Sequence, residues 1–356
     1  MVAPVPESEA VRLARVLYGL EAEAQPLPGE YDASFHLATG DGPGFVLKVM
    51  HPERERGLID LQCAALRHLA AGAPHLKLPR VRPTGDGGAL TVADVGGAQR
   101  IVWMLTYVPG TVLAKARPHS PELLESLGRL LGEMNAALGD FSHPAAEREL
   151  KWDLARAGWI RGSLHEIDDP SRRSLVARFL ALYETEVVSS LPGLRRGVIH
   201  GDANDHNVIA GDARAWPREV VSVVDFGDMH RGLVVAEPAV AAAYAVMGKR
   251  DPVAAAASLV AGYHAVHPLE EAEIALLYVL VGTRLAVSVT NSARVKRQKP
   301  DDPYVTISEA PAWDALERLA AVHPRLAHYT FREACGLRGG HGRTGEVARP
   351  RACAGQ

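Results

Sequence analysis

Two carboxylates and an amide, Asp202, Asn207 and Asp225, hold a spacing that could carry phosphoryl transfer. The chain reads His200-Gly201-Asp202-Ala203-Asn204-Asp205-His206-Asn207, then an apolar run that ends in Val224-Asp225-Phe226-Gly227. Moving a phosphoryl group from a nucleotide needs one carboxylate to orient and deprotonate the attacking hydroxyl. An amide and a second carboxylate must hold magnesium on the phosphates. Asp202 takes the first role in this reading, and Asn207 and Asp225 take the second. His200 follows a short apolar run and braces the loop rather than acting as a base. A β-hairpin with capped turns would explain each motif alone. It does not explain their joint spacing, their order and the apolar strands around them.

The elements that must position these residues fall into two groups. Residues 7–18 read as an amphipathic helix. Runs at 34–38 and 45–49 flank a turn-rich stretch and predict a hairpin. Leu58, Leu61, Ala65, Leu66 and Leu69 recur at a helical period over 54–70. Two further β runs lie near 80–83 and 99–107. Residues 1–103 therefore form a small N-lobe, one helix packed on a sheet. Residues 104–110 form a hinge broken by Pro109-Gly110. Residues 111–335 form a mainly helical C-lobe. Its helices are expected at 121–138, with Ser120 as N-cap, and at 147–164, 172–190, 236–247, 252–264, 270–294 and 310–321. From Gly336 the chain is rich in Gly and Arg, and 336–356 is expected to be a disordered tail.

Composition narrows the class. The chain has 356 residues, 47% of them apolar, which is enough for two cores, and a net charge of −3. There is no basic block to meet nucleic acid and no acidic tract. Cys63, Cys335 and Cys353 are scattered without metal-ligand spacing, which suits a reducing compartment. The first ten residues carry acids and prolines rather than a basic-then-apolar leader, so a cytoplasmic location is expected. The run 275–293 approaches the length of a bilayer span. Arg284 at its centre is costly in lipid, so it reads as a buried helix of the C-lobe rather than a membrane segment.

With loop and lobes placed, the chain resembles the aminoglycoside phosphotransferase and choline kinase superfamily. Within it, the likeness is to hydroxylysine kinases and to the kinase domains fused to class III aminotransferases. It rests on 200–207, on Val224-Asp225-Phe226-Gly227-Asp228-Met229, on Leu105-Thr106-Tyr107-Val108-Pro109-Gly110 and on Ile307-Ser308-Glu309-Ala310-Pro311-Ala312-Trp313. It spans about 29–337. The resemblance implies an α+β, bilobal protein-kinase-like fold with a small β-rich N-lobe. It implies a small-molecule O-kinase that uses Mg2+ and ATP or GTP. Its acceptor would be a hydroxylated amino acid or amine, with 5-hydroxylysine the named candidate.

The resemblance also assigns the nucleotide side. Lys48 matches the strand lysine that contacts nucleotide phosphates, although a lysine ending a β run can be a plain edge residue. Gln62 stands where that lysine's glutamate partner is usual, and a helix rotation would bring in Asp60 instead. No G-x-G-x-x-G precedes Lys48. The turn at 29–35 takes its place, where Ser34 and backbone amides either contact phosphates or simply close a hairpin. Thr106 and Val108 sit where a hinge offers backbone groups to the base.

On the acceptor side, Asp228 either stabilises its turn or binds a substrate ammonium. Glu237 and Arg284 stand nearly alone in apolar helices. A buried charge must be paired or bind something charged. They either pair with each other or a neighbouring segment, or line a pocket suited to a zwitterion, Arg284 gripping a carboxylate. Trp152 is a pocket wall or simple core. Two other functions fit less well: an antibiotic kinase, which would favour an acidic cleft, and a non-catalytic nucleotide-binding pseudokinase.

Overall fold

The computed structural model describes residues 4–29, 31–298 and 309–337. Ile307, Ser308, Cys353 and nearly all of the expected tail lie outside the described residues.

The N-lobe is built on β6 (Ala98–Thr106), a nine-residue run with apolar residues on both faces. Side chains alternate along a strand. Val102 and Met104 therefore face one way, and Ile101, Trp103 and Leu105 the other. A strand apolar on both faces needs cover on both. α1 (Glu7–Tyr18) supplies one layer through Ala10, Leu13 and Ala14. α2 (Arg56–Gly72) supplies the other through Ile59, Leu66 and Leu69. The sheet thus carries a helix on each face, not the single helix expected from sequence.

The remaining strands are β1 (Glu23–Leu27), β2 (Ala33–Ala38), β3 (Phe45–Val49), β4 (Val81–Arg82) and β5 (Leu90–Val95). They run antiparallel in the order β1-β2-β3-β6-β4, with β5 also on β6. β1 and β5 were not anticipated. β1 contains Pro26, which reads as a breaker but is tolerated on the sheet edge that β1 occupies.

The C-lobe opens with β7 (Thr111–Val112) and α3 (Pro121–Ala137). Ser120 caps α3 as expected, accepting the Leu123 N–H at 3.3 Å. The helix expected at 147–164 does not form. Gly158 and Gly162 weaken an α-helix, and the chain winds as a 3-10 helix, Leu154–Glu166, capped by Asp153. α4 (Pro170–Leu182) passes through a π-turn, Tyr183–Val187, into the short α5 (Val188–Ser190).

Four short strands then carry the motifs: β8 (Arg196–Ile199), β9 (Val208–Ala210), β10 (Val220–Val223) and β11 (His230–Leu233). β8 pairs with β11, and β9 lies between β7 and β10. α6 (Ala236–Ala245), α7 (Pro252–Val266), α8 (Glu271–Gln298), α9 (Glu309–Ala320) and α10 (Pro324–Ala334) complete the lobe. α10 had no counterpart in the sequence reading. α8 is long and apolar enough to cross a membrane, but 83% of its apolar window is buried inside the protein. Arg284 sits in its middle.

α3 and α7 meet through glycines. A Cβ on Gly128 would lie 1.9 Å from the Leu259 carbonyl oxygen, and one on Gly262 would lie 1.9 Å from that of Glu125. Backbone cannot yield as a side-chain tip can. Gly262→Ala should destabilise the protein by about 3 kcal/mol, the upper end for overpacking. Denaturant unfolding checks this, and an unchanged midpoint would mean the helices are free to separate.

Candidate active site

Strand register builds the nucleotide side. Ser34, Lys48 and Trp103 are direct partners across β2, β3 and β6, so they share one face of the sheet. Lys48 Nζ lies 5.7 Å from the Trp103 ring centre and 3.3 Å from Asp225 Oδ1. Gln62 is buried on α2, but its amide donates to the Leu58 carbonyl at 3.2 Å. Asp60 pairs with Arg56 at 3.5 Å. The expected lysine partner on α2 is therefore replaced by Asp225, because a neutral amide cannot compete with a carboxylate for an ammonium. The turn before Ser34 is pinned by Asp32, which accepts from His51 N at 2.8 Å and Arg54 Nε at 3.0 Å.

At the hinge, Thr106 is already engaged. Its N–H donates to the Arg80 carbonyl and its Oγ1 accepts from Arg80 N, both at 2.9 Å. Its N–H is thus committed to Arg80, just before β4, rather than open to a base. Val108 is half-buried, and no backbone bond among the described residues uses it.

The loop between β8 and β9 turns at Gly201, where φ is 76° and a Cβ would lie 2.8 Å from His230 Cε1. Both constraints exclude a side chain, which explains glycine in this position. His200 is fully buried. Its Nε2 lies 3.1 Å from the Val224 carbonyl and its Nδ1 accepts from Asp202 N at 3.3 Å, so it braces the loop as expected.

Asp202 is held on both oxygens. Oδ2 accepts from Asn204 Nδ2 at 2.9 Å and Asn207 Nδ2 at 3.1 Å, and Oδ1 accepts from Arg284 Nη2 at 2.9 Å. Burial pushes the Asp202 carboxyl up to about 7; Arg284 pulls against this, while the charges of Asp228 and Asp225 add to it.

Asp225 follows β10 with φ 62°, the one non-glycine residue with positive φ among the described residues. Such backbone strain collects at functional turns. Its Oδ1 accepts from Gly227 N at 3.3 Å as well as from Lys48, whose ammonium holds the carboxyl below its usual range. Arg148 ties down the same turn by donating to the Gly227 carbonyl at 2.9 Å.

The donor set fits a hard divalent cation. Asn207 turns its Nδ2 toward Asp202, which leaves its Oδ1 as the outward donor. The Asp225 carboxylate is more than half exposed. Among the described residues no cluster of three or more His, Cys, Asp or Glu could hold a metal. A site with few protein oxygens, completed by phosphates and water, matches magnesium's preference.

On the acceptor side, Glu237 and Arg284 each pair with a neighbouring segment rather than with each other. Glu237 is completely buried behind the loop, where its Oε2 accepts His200 N at 2.6 Å and Gly201 N at 3.4 Å. It neither pairs with Arg284 nor lines a pocket, because the loop's bare amides claim it first; burial raises its carboxyl. Arg284 is 2% exposed, with Nη2 shared between Asp202 and the Tyr244 hydroxyl at 3.0 Å. Nη2 of its fork is thus engaged, while Nε and Nη1 are buried without a hydrogen-bond partner. Its guanidinium lies 4.6 Å from the ring centre of the half-buried Trp152. Of the two roles open to Asp228, the turn bond is made by Asp225.

Tyr244, Asn204, Arg148 and Trp103 escaped the sequence reading. Asn204 lay within the quoted motif. The other three carry no local signal, because only folding brings them to the site.

A family model described as the phosphotransferase enzyme family, APH, matches residues 23–276. The chain belongs to this family. As an APH phosphotransferase it is a small-molecule kinase. A hydroxylysine kinase from Bos taurus is 30% identical over 339 residues, covering 88% of this chain and 89% of its own length. One from Danio rerio is 31% identical over 324 residues, with 88% and 90% covered. Among solved structures, an amicoumacin kinase in complex with AMP-PNP, Ca2+ and Ami aligns with a TM-score of 0.66 at 14% identity, covering 90% of this chain and 96% of its own. A microcompartment-associated aminopropanol kinase aligns at 0.65 and 20% identity, covering 93% and 99%. These two likenesses establish the shared fold.

Behind the loop of this phosphotransferase, His230 Nε2 lies 3.7 Å from Asp153 Oδ1, both side chains buried. Burial works against the His230 charge, but Asp153 and the Asp228 carbonyl outweigh it and raise the pKa. The folded state therefore holds this proton more tightly than the unfolded chain. The stabilisation is complete below pH ~6.5, the unfolded value, and is lost as pH rises through the raised folded one. Unfolding free energy measured between pH 6 and 9 should fall more steeply for wild type than for His230→Gln. Parallel curves would mean the pair contributes nothing.

Proposed function

We propose that this phosphotransferase moves the γ-phosphoryl of ATP or GTP to the hydroxyl of a hydroxylated amino acid or amine, 5-hydroxylysine being the first candidate. The observation that carries the reading is a pair of contacts, Lys48–Asp225 at 3.3 Å and Asn207–Asp202 at 3.1 Å, in two segments joined by the Val224 N–H donating to the Asn207 carbonyl at 2.8 Å. Lys48 and Ser34, on one sheet face, would contact the phosphates, and Val108 the base. Asn207 and Asp225 would hold magnesium, which would neutralise charge on the phosphates. Asp202 orients the acceptor hydroxyl. It takes the proton as the new O–P bond forms and the bond to the leaving nucleoside diphosphate breaks. Asp228 supplies a carboxylate for a substrate ammonium, beside Trp152 as a wall. The acceptor class draws support from the hydroxylysine kinases that resemble the chain along most of its length. A pseudokinase is disfavoured by the intact Asp202, Asn207 and Asp225.

A screen of hydroxylated amino acids, amino alcohols and aminoglycosides with each nucleotide tests the acceptor. Preferred turnover of an aminoglycoside would replace this reading. With the best acceptor, Asp202→Asn should cut kcat by about 100-fold or more, in the range for a lost general base. Nucleotide affinity should be nearly intact; turnover like wild type would sink the assignment.

Asp225→Ala should abolish the magnesium dependence of nucleotide binding, followed by titration calorimetry with and without the ion. If the variant binds the magnesium–nucleotide complex as wild type does, Asp225 only shapes the turn.

A further inference from the structure

A carboxylate offers about four lone-pair sites, two on each oxygen. Around Asp202 three are taken. The amides of Asn204 and Asn207 fill both on Oδ2, and Arg284 fills one on Oδ1. One site on Oδ1 is left for an incoming proton, and the residue beside it is Arg284.

Arg284 is built in, not held out. It sits on α8, the buried central helix, and is 2% exposed. Nη2 bridges Asp202 Oδ1 and the Tyr244 hydroxyl at 2.9 and 3.0 Å. The guanidinium plane is flanked by Trp152 at 4.6 Å and Tyr244 at 5.5 Å. Nε and Nη1 are buried with no oxygen partner. The π faces of the two rings take up charge that no oxygen meets. An arginine meant to capture a carboxylate from solvent would keep its fork open to the cleft. This one is buried and meets Asp202 through Nη2 alone.

We propose that Arg284 is a positioning residue that acts through Asp202. It fixes the carboxylate so that Oδ1 is the oxygen that receives the acceptor's proton, and it does not itself bind the acceptor. Trp152 and Tyr244 hold the guanidinium in plane. Asn204 and Asn207 hold the other oxygen from within the loop, so the base is clamped between the loop and the buried helix α8. Lysine cannot replace Arg284, because an ammonium lacks the planar, stacked geometry. The inference rests on Asp202 being the base.

The test compares wild type with Arg284→Lys, Arg284→Met and Arg284→Ala, using the best acceptor of the wild-type enzyme. Each variant should lose about 100-fold or more in kcat, as when a general base is misplaced. KM for nucleotide and for acceptor should stay near wild type. Methylguanidinium added to Arg284→Ala should restore part of kcat. A raised KM for acceptor with kcat retained, larger for an amino acid than for its amino alcohol, would make Arg284 a substrate-binding residue and overturn the proposal. A lowered melting temperature with normal kcat and no rescue would also overturn it, leaving only a structural role.

A second measurement needs no turnover. Asp202→Asn strands a buried guanidinium, so it should lower the melting temperature. Adding Arg284→Met should recover part of that loss. Strictly additive losses would show that the two residues are uncoupled and defeat the proposal. If wild type phosphorylates nothing in the screen while the coupling holds, the functional reading fails and the ion pair stands.

Discussion

A carboxylate that must accept a proton inside a folded protein faces two opposing demands. It needs neighbours that keep it in place, and each neighbour that donates a hydrogen bond weakens its basicity. At Asp202, the proposed base, the balance is set by burial on one side and by Arg284, Asn204 and Asn207 on the other. Burial alone would leave the group protonated and inert; the donors alone would leave it a poor base. The C-lobe around it follows from this balance. Glu237 ties down the loop amides from behind, Gly201 allows the turn, and α8 brings the guanidinium to the loop.

The two lobes meet at the same place for an electrostatic reason. Lys48 comes from the central sheet of the N-lobe and Asp225 from a strained turn of the C-lobe. α2, also from the N-lobe, packs against the Phe226–Asp228 turn. Arg148 also holds that turn, through the Gly227 carbonyl. A left-handed aspartate would relax if any of these supports were removed, so the turn is a product of both lobes and of neither alone.

Much of this was legible in the linear sequence, for identifiable reasons. The loop and the D-F-G segment are local, so their spacing survives without a fold. Helical period revealed α2 and α3, and the Ser120 cap marked where α3 begins. Partner choice was not legible. Arg284 was singled out correctly as a lone charge in an apolar helix, but its counter-charge came from residue 202 rather than 237. Gln62 was expected beside Lys48; it is buried but donates to Leu58, and Lys48 found a carboxylate on the other lobe. In both cases the winner was decided by which group the tertiary fold left closest and most in need. β1 was hidden by a proline that only an edge strand accepts. α10 went unread although His323 caps it, Pro324 opens it, and Ala327 and Phe331, four residues apart, form its buried side.

The contact between Lys48 and Asp225 has a further consequence. More than half of the Asp225 side chain faces solvent, so dissolved ions reach the bridge. An exposed ion pair weakens as the screening length shrinks, from about 10 Å at 0.1 M salt to about 3 Å at 1 M. Lys48 is only 17% exposed, so salt reaches the clasp between the lobes from the Asp225 side and screens it in part.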